Sequence, residues 1–407
     1  MKSMRSFLRR SSQVFALIVE IFFFLLARLV GILPITLDAQ EGKVRMSVLL
    51  VLYSLALAVV ITITVPVSIV VLLQMMNVFD DTMMLVVSII EYFMAYGVAV
   101  VVLFTNIYMA SRMARVVNIG FPMYKSLPQV AVEKLRRRFY IYVLVMTFAG
   151  ISSSAMNIAL VSKNSDALSF FLHVLYCTAI PITILTTFVS LYYGGMLMVI
   201  EKFKHLNRRL VAVIDQLDDV VDIYDDKRRS YKITKSCELS DALDALSIEH
   251  DEICRFAVKF NELGSVQMLV FILNAFLSIV SQAFFSYVNI VMSMRRNESF
   301  HVNLIGGMAY AIVNAVLLFV IVNATSEAIN RAKATGVLLH KVVAGCLDIR
   351  LERSIEIFSI QLLNQSLDIT ACKMFTLNFG LIYSVVGAAT SYLIILVQFE
   401  MMRPSRN

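Results

Sequence analysis

The chain has 407 residues, of which 59% are hydrophobic and only 16% carry a charge. Soluble domains are about 25% charged on average, so this composition excludes an ordinary soluble protein. We therefore assign the formal net charge of +7 to loops at a membrane surface and not to a nucleic-acid-binding face. Apolar runs of about 20 residues recur along the chain, which predicts an all-α, polytopic membrane protein.

Seven of these runs are long enough to cross a bilayer as a helix. The predicted spans are residues 47–74, 83–108, 139–162, 168–199, 266–292, 302–326 and 376–400. An apolar stretch nearer the N-terminus is not counted, because Glu20 and Arg28 interrupt it and no small-residue cleavage site follows. We therefore expect no cleavable signal peptide, and we expect the first span to act as the insertion signal.

Basic residues lie mostly on one side of the predicted membrane. Alternate connecting segments hold 31 of the 36 Lys and Arg residues. The positive-inside rule therefore predicts a cytoplasmic N-terminus and an extracellular C-terminus. The expected organisation is a cytoplasmic segment (1–46), spans one to four (47–199), a cytoplasmic helical segment (200–265), spans five and six (266–326), a second cytoplasmic helical segment (327–375), the last span (376–400) and an extracellular tail (401–407).

The long cytoplasmic segments carry apolar residues at helical spacing. One such seam is Leu206, Leu210, Val213 and Leu217, and a second is Leu239, Leu243, Leu246, His250, Ile253, Ala257 and Phe260. The charged stretch 218–238 between them is predicted to be a flexible loop. The seams predict a helical anchor bundle beneath the membrane that contacts other subunits, although helices lying on the lipid surface are an alternative. His250 fits a buried core or interface position better than a metal site.

Enzymatic and metal-binding signatures are missing from the sequence. It contains no His-Glu-x-x-His, Gly-x-Ser-x-Gly, P-loop or Cys-x-x-Cys motif, and its five histidines lack metal-ligand spacing. We therefore expect no enzyme activity, no metal and no cofactor. None of the five cysteines falls in a predicted outer loop, so no disulfide framework is expected. Asn297 begins a sequon on the predicted outer side and is a candidate glycosylation site.

Polar side chains recur in the predicted outer halves of spans two to six. The candidates are Glu91, Tyr92, Tyr96, Ser154, Asn157, His173, Tyr176, Gln282, Tyr310 and Asn314. A carboxylate inside a membrane is costly, so Glu91 should face a partner or water. One interpretation is that these groups line a pocket for a small molecule. The other is that they hydrogen-bond between helices and only hold the bundle together. Their concentration in one leaflet favours a cavity.

The last span has one narrow face of small or weakly polar residues. Gly380, Ser384, Gly387, Ser391, Ile395 and Gln398 recur every three or four residues. In a helix that crosses lipid, such a face must meet protein or water. For the part from Gly380 to Ser391, tight helix packing is an equally acceptable explanation.

The end of this span, from Ser391 to Phe399, reads SYLIILVQF. It resembles the signature of insect gustatory receptors, which is Thr-Tyr, five hydrophobic residues and Gln-Phe at the end of the seventh span. The sequences FSIQLL at 358–363 and FTLN at 375–378 also resemble the run into that span. Ser391 replaces the usual Thr. Leu393 stands where sugar-receptor relatives tend to carry Glu, which favours a bitter-type or other non-sugar ligand.

The resemblance implies a taste receptor that is a ligand-gated, non-selective cation channel, related to insect odorant receptors. Its expected partners are a small organic tastant, the lipid bilayer and further subunits of the same or a related receptor in a tetramer. Its expected location is the plasma membrane of sensory neurons. The resemblance assigns Ser391, Ile395, Gln398 and Phe399 to a central pore and its gate. Four Phe side chains close a pore by dewetting, while amides meet a hydrated ion when it opens.

Two rival classes are a small-molecule carrier and a metabotropic receptor. A carrier should show inverted repeats and helices broken near the middle of the membrane. The two halves of this chain show no such similarity. A metabotropic receptor coupled to a G protein requires the opposite orientation in the membrane.

The orientation is tested by an epitope tag at the C-terminus of the expressed chain. We expect antibody labelling of intact cells, because the predicted topology puts this end outside. A tag at the N-terminus is the control and should be labelled only after permeabilisation. A C-terminal tag that needs permeabilisation contradicts the orientation.

Overall fold

The computed structural model describes residues 19–38, 42–75, 82–159, 177, 179–222, 229–296, 302–341 and 348–402. Within them the chain is almost entirely helical, which confirms the all-α fold class. The helices are α1 (19–29), α2 (Val48–Met75), α3 (Thr82–Tyr108), α4 (Ala110–Lys125), α5 (Gln129–Ala159), α6 (Ile180–Asp222), α7 (Arg229–Arg296), α8 (Val302–Leu339), α9 (Ile349–Asn364) and α10 (Phe379–Met401). Two antiparallel hairpins pair β1 (Ile35–Asp38) with β2 (Lys43–Met46), and β3 (Thr370–Ala371) with β4 (Phe375–Thr376).

Six of the described helices are long and apolar enough to cross a membrane, namely α2, α3, α6, α7, α8 and α10. They correspond to the predicted spans one, two, four, five, six and seven. The predicted third span, 139–162, falls in α5 as far as Ala159, and α5 is not among these six. The count of seven spans and the orientation of the termini therefore remain predictions.

The helices α6 and α7 continue without a break beyond the predicted spans. α7 has 68 residues, which corresponds to a length of about 100 Å. The predicted loop over 218–238 is wrong at both ends, because α6 extends to Asp222 and α7 begins at Arg229. Ser236 and Leu239 are buried against the bundle. Their packing stabilises a helix through sequence whose charges suggested a loop.

The apolar seams meet in a bundle that we call the anchor bundle. It consists of 200–222 of α6, 233–265 of α7, 327–339 of α8, and α9. Most of the predicted seam positions are buried in it: Leu206, Leu210, Leu217, Leu239, Leu243, Leu246, His250, Ile253 and Ala257. The His250 ring lies between the rings of Phe203 and Phe358, with centroids 5.4 and 6.1 Å away. His250 is thus a buried core side chain, as the sequence predicts.

A ladder of polar contacts fixes α9 against α7. The hydroxyls of Ser240 and Ser354 lie 2.8 Å apart, and Gln365 Nε2 donates to Asp251 Oδ1 at 2.7 Å. Ser247 donates to the side-chain oxygen of Gln361 between them. All three pairs are separated by 114 residues along the chain. The constant separation means that α9 runs parallel to α7 in a single register.

The β3–β4 hairpin connects α9 to α10 and is held from α7. Asn261 Nδ2 donates to the carbonyl oxygen of Thr370 at 2.9 Å, and the Tyr192 hydroxyl donates to Asn261 Oδ1 at 2.7 Å. The backbone N–H of Cys372 donates to Ser265 Oγ at 2.6 Å. These contacts dock the connection onto α6 and α7 before the last helix begins.

A further contact holds the entry to α10 from α8. Thr325 Oγ1 donates to the carbonyl oxygen of Leu377 at 2.6 Å, two residues before α10 begins. Toward the C-terminal ends of α7 and α10, the rings of Phe276 and Tyr392 lie 5.8 Å apart. Leu393 and Leu396 pack against the cluster of Phe284 and Val288. α10 therefore follows α7 in the same direction as α9 does.

The docking of the hairpin can be tested at Asn261. We expect Asn261→Leu to destabilise the receptor by roughly 2–3 kcal/mol, because it leaves the buried Tyr192 hydroxyl without its acceptor and removes the shorter hydrogen bond to the Thr370 carbonyl. The measurement is the thermal unfolding midpoint of the purified receptor in detergent. The control is Asn330→Leu, since Asn330 is exposed on α8. Equal midpoints for the two variants contradict the docking role.

Candidate functional site

The intramembrane carboxylate predicted from the sequence has a partner on a neighbouring helix. Glu91 of α3 is 9% exposed, and its Oε1 accepts a hydrogen bond from Gln282 Nε2 of α7 at 2.6 Å. Ser281 of the same helix lies beside this carboxylate. A buried carboxylate needs such donors, because burial without them carries a large desolvation cost. The pair therefore ties α3 to α7 inside the apolar part of the bundle.

A second group of polar side chains joins α7 to α8 nearby. Asn314 is 1% exposed, and its Nδ2 donates to Ser278 Oγ at 3.3 Å while its Oδ1 accepts from Asn274 Nδ2 at 3.4 Å. The side chain of Tyr310 lies beside all three of these residues. The distances between these amides are long for hydrogen bonds, so the group is not tightly closed. All three side chains are buried, so the group joins α7 to α8 within the bundle.

Tyr92 connects the two groups, and Tyr96 does not. Tyr92 lies close to Glu91, to Tyr310 and to the buried thiol of Cys177. Tyr96 is one turn further along α3, and its hydroxyl donates to the Thr62 carbonyl of α2 at 3.1 Å. The structure thus brings together five of the predicted ligand-site residues: Glu91, Tyr92, Gln282, Tyr310 and Asn314.

Four other predicted ligand-site residues fall where the structure does not describe the side chains. The side chains of Ser154 and Asn157, on α5, are not described, and His173 and Tyr176 lie outside the described residues. The candidate glycosylation site Asn297 also lies outside them.

Three polar residues of α7 belong to the cluster but were not predicted. Asn274 and Ser278 share the helical face of Gln282, since they precede it by eight and four residues, and Ser281 lies on the adjoining face, one residue before it. The first two lie outside the outer half of the predicted fifth span, to which the sequence prediction is confined. The spacing of four from Asn274 through Ser278 to Gln282 is the sequence signal that identifies this face.

The second candidate surface is the outward face of α10. Among the 23 residues of this helix, only Leu381 and Val385 are buried within the chain. The face predicted from small residues is exposed along its length, at Gly380, Ser384, Gly387, Ser391, Ile395 and Gln398. The hydroxyls of Ser384 and Ser391 donate to the carbonyl oxygens four residues earlier, each at 3.1 Å. The serines thus satisfy their own hydroxyls and leave a smooth, weakly polar surface.

The four residues predicted for the pore and gate lie on the free end of α10. Ser391 and Gln398 are exposed, Ile395 is 45% exposed and Phe399 is 58% exposed. No described residue outside α10 buries any of the four. Further exposed apolar side chains lie on α9, at Ile357, Ile360 and Leu363, and in the hairpin, at Met374 and Phe375.

Groups that would hold a metal ion are not found in the described part of the chain. A pocket of about 370 Å³ lies where α8 meets the first turn of α10, and it is lined by Asn323, Ser326, Glu327, Asn330, Arg331, Ala334 and Phe379. It is separate from the polar cluster around Glu91, with which it shares no residue.

Comparison with known proteins gives the chain a family. It matches the family model described as "7tm Chemosensory receptor" over residues 21–403. The gustatory receptor for bitter taste 66a of Drosophila melanogaster is 32% identical over 174 residues, which cover 42% of this chain and 32% of that protein. Putative gustatory receptor 28b of the same organism is 24% identical over 288 residues, covering 68% of this chain and 61% of the relative. Both matches thus span less than two thirds of the relative's own length.

The fold resembles that of an insect olfactory receptor. The structure of OR5 from Machilis hrabei superposes with a TM-score of 0.67, at 14% identity, covering 97% of this chain and 98% of that one. Its complex with eugenol superposes with a TM-score of 0.62, covering 94% and 99% of the two chains at the same identity. At this identity the likeness concerns the fold alone. The family match over nearly the whole chain and the gustatory relatives together identify this multi-pass membrane protein as a member of the insect gustatory receptor family, whose members are chemosensory receptors and not enzymes.

Proposed function

We propose that this receptor is a ligand-gated, non-selective cation channel in which α10 of each subunit lines a central pore. The observation that carries the proposal is the exposed face of α10, where the predicted pore residues lie together and only Leu381 and Val385 are buried. A helix whose small, weakly polar face is unsuited to lipid must meet water or other protein. A water-filled pore formed by several copies of the same helix provides both.

The number of subunits we propose is four, as in the channel that the motif resemblance implies. The exposed apolar patch of Ile357, Ile360 and Leu363 on α9 supports assembly through the anchor bundle. These side chains lie beyond the membrane in the predicted topology, where exposed apolar surface marks a protein contact. Assembly through this patch brings the α10 helices of neighbouring subunits toward one axis, because α9 and α10 both follow α7.

The gate we propose lies at the free end of α10. Phe399 is the exposed aromatic residue of the signature, and Gln398 beside it supplies an amide. A ring of Phe side chains blocks ions by dewetting the constriction, and neighbouring amides replace part of the hydration shell once the ring opens. The exposed residues from Ser391 to Phe399 include no charge, so the pore discriminates poorly among cations.

The ligand we propose is a small organic tastant of the bitter or another non-sugar type. Two of the relatives carry names that refer to bitter taste, and the structurally similar OR5 is solved with eugenol. In this chain, the cluster of Glu91, Tyr310 and Asn314 offers an acceptor, an aromatic ring and an amide to such a molecule. The amide distances above 3 Å support rearrangement around a bound ligand.

Ligand binding reaches the gate through α7 and α8 in this proposal. Both helices carry the polar cluster, and both hold the entry to α10, through Asn261 and Thr325. Because this entry is fixed, a shift of α7 is transmitted to the opposite end of α10, where Leu393 and Leu396 pack against Phe284 and Val288. The ligand opens the channel only to the extent that it binds the open arrangement of these helices more tightly than the closed one.

We further propose that the receptor lies in the plasma membrane of sensory neurons, with seven spans and a cytoplasmic N-terminus. The distribution of 31 of 36 basic residues on one side supports this orientation. In it, Asn297 faces the extracellular side and is available for glycosylation.

The gate is tested by Phe399→Ala in cells that express the receptor. We expect basal current to rise severalfold, because removing four aromatic rings lets water enter the constriction without ligand. Whole-cell recording measures the effect, and surface labelling corrects it for expression. Phe379→Ala is the matched control, since it removes the same ring at the fixed end of α10 and should leave basal current unchanged. An unchanged basal current and ligand response in Phe399→Ala contradict the gate.

The ligand site is tested by Tyr310→Phe, which removes a single hydroxyl beside Asn274, Ser278 and Asn314. We expect the concentration for half-maximal response to shift by about three- to tenfold, as the loss of one hydrogen bond implies. Single-channel conductance should stay the same. Tyr108→Phe is the control, because Tyr108 is 77% exposed at the end of α3. A changed conductance in Tyr310→Phe moves this residue from the ligand site to the pore.

A further inference from the structure

The helix α9 leaves one face exposed along its whole length. Its buried face is formed by Leu351, Ser354 and Phe358. The residues on the opposite side recur every three or four positions, and we call them the outer stripe of α9: Ile349, Arg353, Glu356, Ile360 and Leu363. All five are exposed, Ile349 and Leu363 by 83% and 76%. Alternating spacings of four and three are the pattern by which helices pack side by side in a coiled coil.

Apolar residues at both ends of the outer stripe favour its burial against another helix. The anchor bundle lies in the cytoplasm in the predicted topology, where an exposed apolar face marks a protein contact. Ile357 at the edge of the stripe is 53% exposed and widens the apolar surface. The outer stripe therefore has the composition of an interface, apart from the two charged residues at its centre.

These two residues carry charges of opposite sign. Arg353 and Glu356 lie three residues apart, which is about 4.5 Å along the helix axis. Both are exposed, and neither forms an ion pair with another residue that the structure describes. Arg350, by contrast, is paired with Asp241 of α7 at 2.9 Å. Charges that become buried in an interface need partners, so the molecule that covers the stripe has to supply an acid for Arg353 and a base for Glu356.

A second copy of the same chain supplies both partners. Subunits in one membrane share one orientation, so their α9 helices run parallel around an axis perpendicular to the membrane. In such a ring each subunit presents Arg353 to one neighbour and Glu356 to the other, and this head-to-tail arrangement closes cyclically. The axial offset of three residues is within the reach of an extended arginine side chain.

We propose that the outer stripe of α9 selects further copies of this chain, through ion pairs between Arg353 of one subunit and Glu356 of the next. The proposal rests on the assembly through the anchor bundle proposed above, and it names the partner that this assembly takes. The apolar residues of the stripe provide the surface that is buried, while the two charges decide which chains can meet. A related receptor is accepted only where it carries a base and an acid in the same order, since the reverse order brings like charges together.

The test uses charge reversal in full-length chains that carry one of two different affinity tags. Arg353→Glu makes both charges of the stripe acidic, and Glu356→Arg makes both basic. We expect each variant expressed alone to lose co-purification of the two tags in mild detergent severalfold. Co-expression of the two variants should restore co-purification, because every acid of one chain then faces a base of the other. This recovery also shows that both variants are folded.

The double variant with Arg353→Glu and Glu356→Arg tests partner choice directly. It keeps complementary charges toward its own copies, so we expect it to assemble as the wild type does. Against the wild type it brings like charges together, so we expect severalfold less of the mixed complex than of either pure one. The matched control is the double variant Lys259→Glu and Glu262→Lys, which reverses an exposed pair of the same spacing on α7 and should mix freely with the wild type.

Co-purification does not depend on ion conduction, so the outcomes separate this proposal from the channel. Free mixing of the charge-swapped double variant with the wild type overturns the selection by charge, even in a receptor that conducts. A receptor that follows the charge rules but carries no current contradicts the channel and leaves the selection standing. A wild-type chain that does not co-purify with its own copies overturns the assembly and the selection together.

Discussion

The parallel run of the C-terminal segment along α7 is the constraint on which the rest of the structure depends. The pairs Ser240–Ser354, Ser247–Gln361 and Asp251–Gln365 set one register for α9. The hairpin then docks on α7 at Asn261, and α10 continues along the same helix to Tyr392 and beyond. A single helix of 68 residues thus positions everything from the anchor bundle to the end of α10. The exposed face of α10 points outward because α7 and α8 already occupy its other side.

Polar groups within the apolar bundle join neighbouring helices, and they differ in how tightly they are hydrogen-bonded. Gln282 donates a short hydrogen bond to Glu91, which offsets part of the cost of burying the carboxylate. The amides of Asn274 and Asn314 are held less closely. The first contact stabilises the arrangement of α3 and α7, while in our proposal the second supplies donors and acceptors to a ligand. Under that proposal, the two interpretations drawn from the sequence, helix bonding and ligand pocket, apply to different residues of one cluster.

Apolar run length and helical spacing predicted the spanning helices, the seams of the anchor bundle and the small-residue face of α10. These features follow from local composition, because apolar segments and apolar helix faces are buried in the membrane or in the bundle whatever their exact partners are. Which helix packs against a given apolar seam depends on residues far away in the sequence. Nothing in the spacing of Ser240 or Ser354 indicates that they meet, because the contact joins residues 114 positions apart. Likewise, charge density suggested a loop at 229–238, where burial of Ser236 and Leu239 produces a helix. Tyr96 is a further example, because its hydroxyl, which the sequence assigns to the ligand site, donates to the carbonyl of Thr62 on another helix.

The matched register of α7 and the C-terminal segment restricts how the length of this chain can change during evolution. Deleting one residue of α7 between Asp251 and Phe276 rotates the helix beyond it by about 100° relative to the anchor bundle. The contacts of Asp251 and those of Phe276 then cannot be kept together, unless the segment from Gln365 to Tyr392 loses a residue as well. Within the described structure, insertions are accommodated at the turn of the β3–β4 hairpin, around Lys373 and Met374, which are exposed and lie outside the ladder. Length variation between α9 and α10 should therefore concentrate in these few residues.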